Sequence, residues 1–246
     1  MAEADKPPLA SDSDESHGAV NRQALARTAL FGALDPEDLD RLAGMARSLA
    51  FDDGAAVFRK GDPSRSLYVI VAGRLKIASG SADGREMVMN LLGPGDAFGE
   101  VALLDGGGRT ADAVCIEPLR VLAFDRSDLI PFLEAKPSLM LRMLVALAER
   151  VRWISTSYED STFLSVRVRM AKRLLRLAED FGVDTPAGVR ITVALPQREL
   201  ASHIGVTRET ISRLLQDWQG DGLIVVNRGM ILLPNKARLA AVASGT

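Results

Sequence analysis

The apolar positions of this chain change period along its length, and each change marks a different kind of element. Residues 1 to about 20 are rich in Asp, Glu, Ser and Pro with few apolar positions, and are expected to form a disordered acidic tail. Residues 22–48 carry helical patterning broken at Phe31-Gly32. Asp35-Pro36 then suits a helix start, with Asp35 as cap and Pro36 in the first turn. From Phe51 to Phe124, short apolar runs alternate with turn signals such as Asp53-Gly54, Gly61-Asp62-Pro63, Gly93-Pro94-Gly95-Asp96 and Gly106-Gly107-Gly108. The runs Leu67–Val71, Leu75–Ile77, Met87–Met89 and Val114–Ile116 read as short strands, so this part is expected to be a closed antiparallel roll or barrel. Cys115 lies among apolar strand neighbours and reads as a small buried hydrophobe.

From about Pro137 the period becomes helical. Met140, Leu144, Leu147, Val151, Ile154 and Tyr158 recur at spacings of 4, 3, 4, 3, 4, a heptad stripe, and Leu141, Val145 and Ala148 form a second one. Two stripes call for two partners, the chain's own β structure and a second subunit, so a homodimer through a helix over 137–160 is expected. Residues 161–165 should break this helix. A second helix follows from Val166 to about Asp180 with Val166, Met170, Leu174, Leu175, Leu177 and Ala178 inward, then a loop over Gly182–Gly188.

The segment 196–219 predicts two short helices around a tight turn. One runs Gln197–His203, the chain reverses at Ile204-Gly205-Val206, and Thr207 caps the next. Small Ala201 and the turn glycine permit a close helix-turn-helix crossing. Residues 222–233 read as a β-hairpin wing with Asn227-Arg228-Gly229 at its tip. Arg208, Glu209, Ser212 and Arg213 fall on one exposed side at the start of the second helix, the end that meets base edges in such folds. Arg suits guanine O6 and N7, Glu accepts from cytosine N4, and Gln197 and Thr207 suit phosphates.

Composition supports a globular chain with a well-buried core and excludes several alternatives. The 246 residues are 47% hydrophobic and 25% charged, with a net charge of −2. Residues 164–246 hold 12 Lys and Arg against 7 Asp and Glu, so near-neutrality hides a basic back half suited to a polyanion. One cysteine and two histidines (His17 and His203) leave no material for a disulfide framework, an iron–sulfur cluster or a clustered-histidine metal site. The reading is of no metal, no haem and no catalytic residues, and hence not an enzyme. His203 reads as structural or phosphate-facing. No apolar run reaches the roughly 18 residues of a membrane span, so the expected location is the cytoplasm, without membrane contact.

The second sharp feature is Gly95–Leu104 followed by Gly106-Gly107-Gly108-Arg109-Thr110-Ala111. A short helical turn exposes N–H groups to an anion, Arg109 offers a two-pronged phosphate contact, and Glu100 suits a sugar hydroxyl. A phosphorylated sugar satisfies all three; a bare Glu100–Arg109 pair inside the barrel is the alternative.

FGEVALLDGGGRTA resembles the phosphate-binding cassette of cyclic-nucleotide-binding domains, and IGVTRETISRLL resembles the recognition helix of the catabolite activator branch of the CRP/FNR transcription regulators. The likeness spans about residues 25–235. It implies an α+β chain with an N-terminal antiparallel, jelly-roll-like β-roll, a long dimerisation helix and a C-terminal winged helix-turn-helix. The expected divisions are a tail over 1–20, the roll over 21–135, the dimerisation helix and hinge over 136–162 and the DNA-binding domain over 163–246. Gly99 and Glu100 would hold the ribose 2′-OH, Val101 and Ala102 would complete that turn, and Arg109 and Thr110 would hold the cyclic phosphate. Ile154 and Ser155 align with the pair that meets the purine. Ile154 stands where the cyclic AMP-responsive members carry Thr, and Thr110 also resembles domains that accept cyclic GMP. The implied effector is cyclic AMP or cyclic GMP. The implied partners are palindromic double-stranded DNA with TGTGA-like half-sites and RNA polymerase, in the bacterial cytosol and on the nucleoid when DNA-bound. The competing readings are the same regulator answering a cyclic dinucleotide or no effector, and a non-catalytic cyclic-nucleotide-binding regulatory subunit. A cupin-like enzyme would need barrel histidines that this chain lacks.

Overall fold

The computed structural model describes residues 14–63, 65–80 and 86–245. The chain divides into two compact units, residues 1–79 with 89–149 and residues 80–88 with 150–246.

The first unit opens with helices α1 (Asp14–Ala26) and α2 (Pro36–Met45). Helix α1 begins inside the stretch expected to be a tail through residue 20; residues 1–13 of that stretch lie outside the described residues. Asp35 caps α2 as expected, accepting from Asp38 N at 2.8 Å with Pro36 at the helix start.

Strands β1 (Arg47–Phe51), β2 (Ala56–Phe58), β3 (Ser66–Ala72), β4 (Leu75–Gly80), β5 (Glu86–Leu92) and β6 (Ala97–Phe98) follow. Helix α3 (Glu100–Asp105) then precedes β7 (Asp112–Cys115) and β8 (Leu119–Asp125). They form two four-stranded sheets, ordered β1-β8-β3-β6 and β2-β7-β4-β5. The registered pairs β1–β8, β3–β6, β3–β8, β2–β7 and β4–β7 are antiparallel.

Strands β3 and β8 are apolar on both faces because each serves two cores. Ile70 and Val121 join Leu75, Ile77, Phe98, Ala113 and Cys115 in a core shared by the two sheets. Leu67, Val69, Leu122 and Phe124 face the other way, into a core with Phe31, Leu42, Leu103, Leu129, Phe132 and Leu139 from the helices. A strand buried on both sides loses the polar–apolar alternation that marks a half-exposed strand. Cys115 is 2% exposed, and burial pushes its thiol pKa up to about 11, so it behaves as the buried hydrophobe expected.

Helix α4 (Arg126–Glu134) had no clear sequence signal, since Pro131 sits within it. Helix α5 (Pro137–Phe163) starts where the heptad pattern predicted. Two expectations about it need correction. The residues of α5 buried against the first unit are Leu139 and Met143, not Leu141 and Val145, which are 61% and 49% exposed. The helix also continues through Ser161 and Thr162, whose hydroxyls donate back to Tyr158 O at 2.7 and 3.0 Å. The break falls at residues 164–165, where Ser165 caps the next helix.

In the second unit α6 (Val166–Phe181) leads into β9 (Gly182–Thr185) and β10 (Gly188–Ile191), a hairpin where a loop was expected. Helices α7 (Gln197–Ile204) and α8 (Arg208–Gly220), strands β11 (Val225–Asn227) and β12 (Met230–Leu233), and α9 (Lys236–Ala243) complete it. The sheet order is β11-β12-β10-β9. The hairpin signal at 182–191 was hidden because Gly182, Asp184, Thr185 and Gly188 are turn formers by composition.

Phe124 has no exposed surface and lies 5.9 Å from the Phe31 ring. Phe124→Ala is therefore expected to lower stability by about 3–5 kcal/mol in denaturant titration. Cys115 should resist alkylation in the folded protein and react fully once denaturant is added.

Candidate functional site

Strand β6 ends at Phe98, and the chain turns through Gly99 at φ 84° into α3. This glycine is required twice over. Its backbone is left-handed, and a Cβ there would collide with the Arg109 guanidinium. The first turn of α3 leaves the N–H groups of Glu100, Val101 and Ala102 without intrahelical acceptors, since the first ladder bond runs from Leu103 N to Gly99 O at 3.4 Å. Ala102 is buried, and Thr110 is exposed.

Arg109 is 4% exposed, and the roll is arranged around it. Nη1 donates to Gly99 O and Nη2 donates to Ser66 O, both at 3.0 Å. Its Cζ lies 4.0 Å from the centre of the Phe58 ring and 5.3 Å from that of Tyr68. The Nε is buried with no hydrogen-bond partner. Burial pushes the guanidinium pKa below the usual arginine value, while the Tyr68 hydroxyl and the charges of Glu100 and Asp62 pull it up. It remains a cation. A buried cation held by two carbonyls at the glycine turn that opens α3, with its Nε left unpartnered, has the chemistry to pair with an anion.

The backbone of the return loop is also tied down. Gly61 N donates to Arg109 O at 2.8 Å, and Arg109 N donates to Asp62 O at 3.0 Å. Gly61, Pro63, Arg65 and Gly106–Gly108 line a cavity of about 470 Å³ on this edge of the roll. Thus Gly99, Glu100, Val101, Ala102 and Arg109 come together. Ile154 and Ser155 are exposed on α5, in the second unit. Sequence reasoning missed Phe58, Ser66 and Tyr68; the only trace of them was aromatic and hydroxyl residues in strands that otherwise read as core.

In the second unit, Thr207 caps α8, its hydroxyl accepting from Thr210 N at 3.3 Å, and Gly205 closes α7 at φ 69°. Leu200, Ala201 and Ile204 pack with Ile211, Leu214, Leu215 and Trp218 among the buried residues, leaving Arg208, Glu209 and Arg213 exposed at the start of α8, with Ser212 half-buried. The Glu209 carboxyl lies below its usual pKa. Its own backbone N–H and the Thr207 hydroxyl hold the charged form, helped by Arg208 and Arg213. Gln197 is half-buried at the start of α7.

Two arginines of α6 fix the end of α7. Arg169 donates to Ile204 O at 2.9 Å, and Arg173 lies 2.7 Å from His203 Nδ1. Arginine only donates, so His203 Nδ1 is the acceptor of this bond, which ties α7 to α6. Burial pulls the Arg173 pKa down to about 10. The wing is fixed to the same body: Val226 N donates to Gln219 Oε1 at 3.2 Å and Leu195 N to Gly229 O at 2.8 Å. At its tip Arg228 adopts φ 49°, an unusual conformation for a residue other than glycine.

A buried arginine at a glycine turn in a β-roll and a winged helix-turn-helix on one chain point to a two-part DNA-binding regulator. Comparison with known proteins agrees. Residues 48–136 match the cyclic nucleotide-binding domain model and residues 168–242 the Crp-like helix-turn-helix domain model. The chain is 34% identical over 218 residues to the CRP-like cAMP-activated global transcriptional regulator of Mycobacterium tuberculosis, covering 89% of this chain and 97% of that one. It is 30% identical over 216 residues to the cyclic AMP receptor protein of Thermus thermophilus, covering 88% and 97%. The fold is shared with the c-di-GMP responsive global regulator CLP of Xanthomonas campestris at a TM-score of 0.71 and 23% identity, over 81% and 99% of the chains. The protein belongs to the CRP/FNR family of DNA-binding transcription regulators. Among the described residues, no helix is long and apolar enough to cross a membrane, and no group of three or more His, Cys, Asp or Glu could hold a metal.

Gly99→Ala is expected to destabilise the first unit by more than about 1 kcal/mol, because it forces a side chain into left-handed backbone and against Arg109. Thermal unfolding of the variant against wild type measures it.

Proposed function

We propose that this protein is a homodimeric transcription regulator that binds a cyclic nucleotide in the roll and reads a palindromic, TGTGA-like operator with α8. The observation that carries the reading is Arg109, a buried cation with an unpartnered Nε, held to the Gly99 turn that opens α3. The cyclic phosphate meets Arg109 and Thr110, and the ribose 2′-OH meets Glu100 on the Gly99 turn, with Val101 and Ala102 completing the cradle. Ile154 and Ser155 on α5 meet the base. Ile154 offers no hydrogen bond, so Ser155 and Thr110 are left to discriminate adenine from guanine.

Self-association rests on the exposed face of α5. Leu144, Val151, Ile154 and Tyr158 are 58%, 62%, 47% and 73% exposed, a contiguous apolar ribbon at heptad spacing. A twofold axis along it gives two copies of α8, which fit successive major grooves roughly 34 Å apart. Arg208 and Arg213 contact guanine, ionised Glu209 accepts from cytosine, and Ser212 lies beside them. Gln197 and Thr207 contact phosphates. Effector binding shifts the dimer toward the arrangement that matches DNA, and does so only through its tighter binding to that arrangement. RNA polymerase is the further partner of such a regulator, and the bacterial cytosol its place.

Calorimetry with cyclic AMP and cyclic GMP is expected to give binding in wild type and at least a tenfold loss in Arg109→Ala; no heat with either nucleotide sinks the cyclic-nucleotide reading. A cyclic dinucleotide serves as the alternative titrant. Arg208→Ala and Arg213→Ala should each weaken operator binding by about 1–3 kcal/mol and relax preference at one base, read by site selection on random DNA. Val151→Glu should convert the dimer to a monomer in sedimentation and abolish operator binding.

A further inference from the structure

Helix α3 is gripped by an arginine at each end. At its start, Arg109 Nη1 donates to Gly99 O. At its finish, Arg126 Nε donates to Leu103 O at 2.6 Å and Nη2 to Leu104 O at 3.3 Å. Arg126 is the first residue of α4, and its own N–H donates to Arg65 O at 2.6 Å. The neighbouring Asp125 accepts from Ser66 Oγ at 2.8 Å and from Arg47 Nη2 at 2.9 Å, while Ser66 O is the second carbonyl held by Arg109. The two arginines therefore belong to one loop of contacts: Arg109, Ser66, Asp125-Arg126, the last carbonyls of α3, and back through α3 to Gly99.

We infer that Arg126 is a positioning residue that transmits effector occupancy of α3 to α4 and the first turns of α5. This rests on the cyclic-nucleotide reading above. An incoming phosphate competes with Gly99 O and Ser66 O for Arg109, so binding alters the hold on the start of α3. A helix of six residues has few ladder bonds of its own, so its position depends on what holds its two ends. Its finish is fastened to α4 by charge-assisted bonds to carbonyls that the helix itself leaves unsatisfied. Below Arg126, Leu129, Phe132 and Leu133 of α4 share one buried core with Leu103 of α3 and Leu139 and Met143 of α5. The α4–α5 junction is tight, with Lys136 N donating to Leu133 O at 2.9 Å and Leu139 N to Lys136 O at 2.9 Å. Displacement of α3 thus reaches the start of the long helix through a guanidinium and a packed core. Arg126 touches no effector; it acts through α3.

The test separates binding from response in the full-length protein. Effector affinity is measured by calorimetry with cyclic AMP and cyclic GMP, and operator affinity with and without the better nucleotide, for wild type, Arg126→Met and Arg126→Lys. Arg126→Met keeps the length and apolar stem but has no donor; Lys restores the charge with a single point donor. The expected result is that Arg126→Met keeps effector affinity within about threefold and unchanged effector-free operator affinity, but loses at least tenfold of the effector-induced gain on DNA. Arg126→Lys should recover part of that gain. The inference is overturned if Arg126→Met retains the full gain, or if both variants lose effector binding and the cooperative melt together, which is the signature of a purely structural role. If wild type itself shows no gain with either nucleotide, the underlying reading falls and takes the inference with it.

Discussion

A single buried guanidinium organises the first unit. Arg109 is inserted under the Phe58 and Tyr68 rings and joined to the carbonyls of Gly99 and Ser66. Taking an arginine out of water is costly unless its donors are met. Here two carbonyls and two aromatic faces meet most of that requirement, and one nitrogen is left over. The surrounding sequence follows from this constraint. Position 99 has to be glycine, the strand opposite has to present a backbone carbonyl at residue 66, and the return loop pairs through its backbone with Gly61 and Asp62. The result is a guanidinium held in one geometry by the turn, the strand and two rings.

The second unit is organised on a similar economy of donors. Arg169 and Arg173 reach from α6 to the end of α7, and Gln219 and Leu195 fasten the wing. The helix-turn-helix is therefore held from its buried side, and the start of α8 is left with charged side chains that nothing in the body needs. Glu209 lies exposed at that helix start, where its own backbone N–H and Thr207 favour its charged form, so a hydrogen-bond acceptor stands between Arg208 and Arg213.

Much of this was legible in the chain. Asp35-Pro36, Thr207 and Gly205 mark element ends by rules that depend on a few neighbouring atoms, and they hold. The stretch Gly99–Arg109 stood out because glycine turns, a short helix and an arginine together are an uncommon combination, and the structure joins Arg109 to Gly99. What escaped notice depends on contacts distant in sequence. Strands β1 and β2 carry ambiguous apolar runs, and β9 and β10 are made of turn formers that only their neighbours in the sheet hold straight. The choice of Leu139 and Met143 as the buried side of α5 is set by α4 and the sheet beneath it, not by the heptad count. The partners of Arg109 and Arg126 are backbone carbonyls, which carry no residue identity and so leave no trace in the letters.

Arg228 at the wing tip has a further implication. A two-residue hairpin turn with both central residues left-handed favours glycine or asparagine, and an arginine at φ 49° forgoes roughly 1 kcal/mol relative to them. Any programme that ranks substitutions by thermal tolerance would therefore choose this position early and replace the cation. The sturdier molecule obtained that way would carry one less exposed positive charge at the wing tip, so selection for melting temperature alone would shift the charge of this unit.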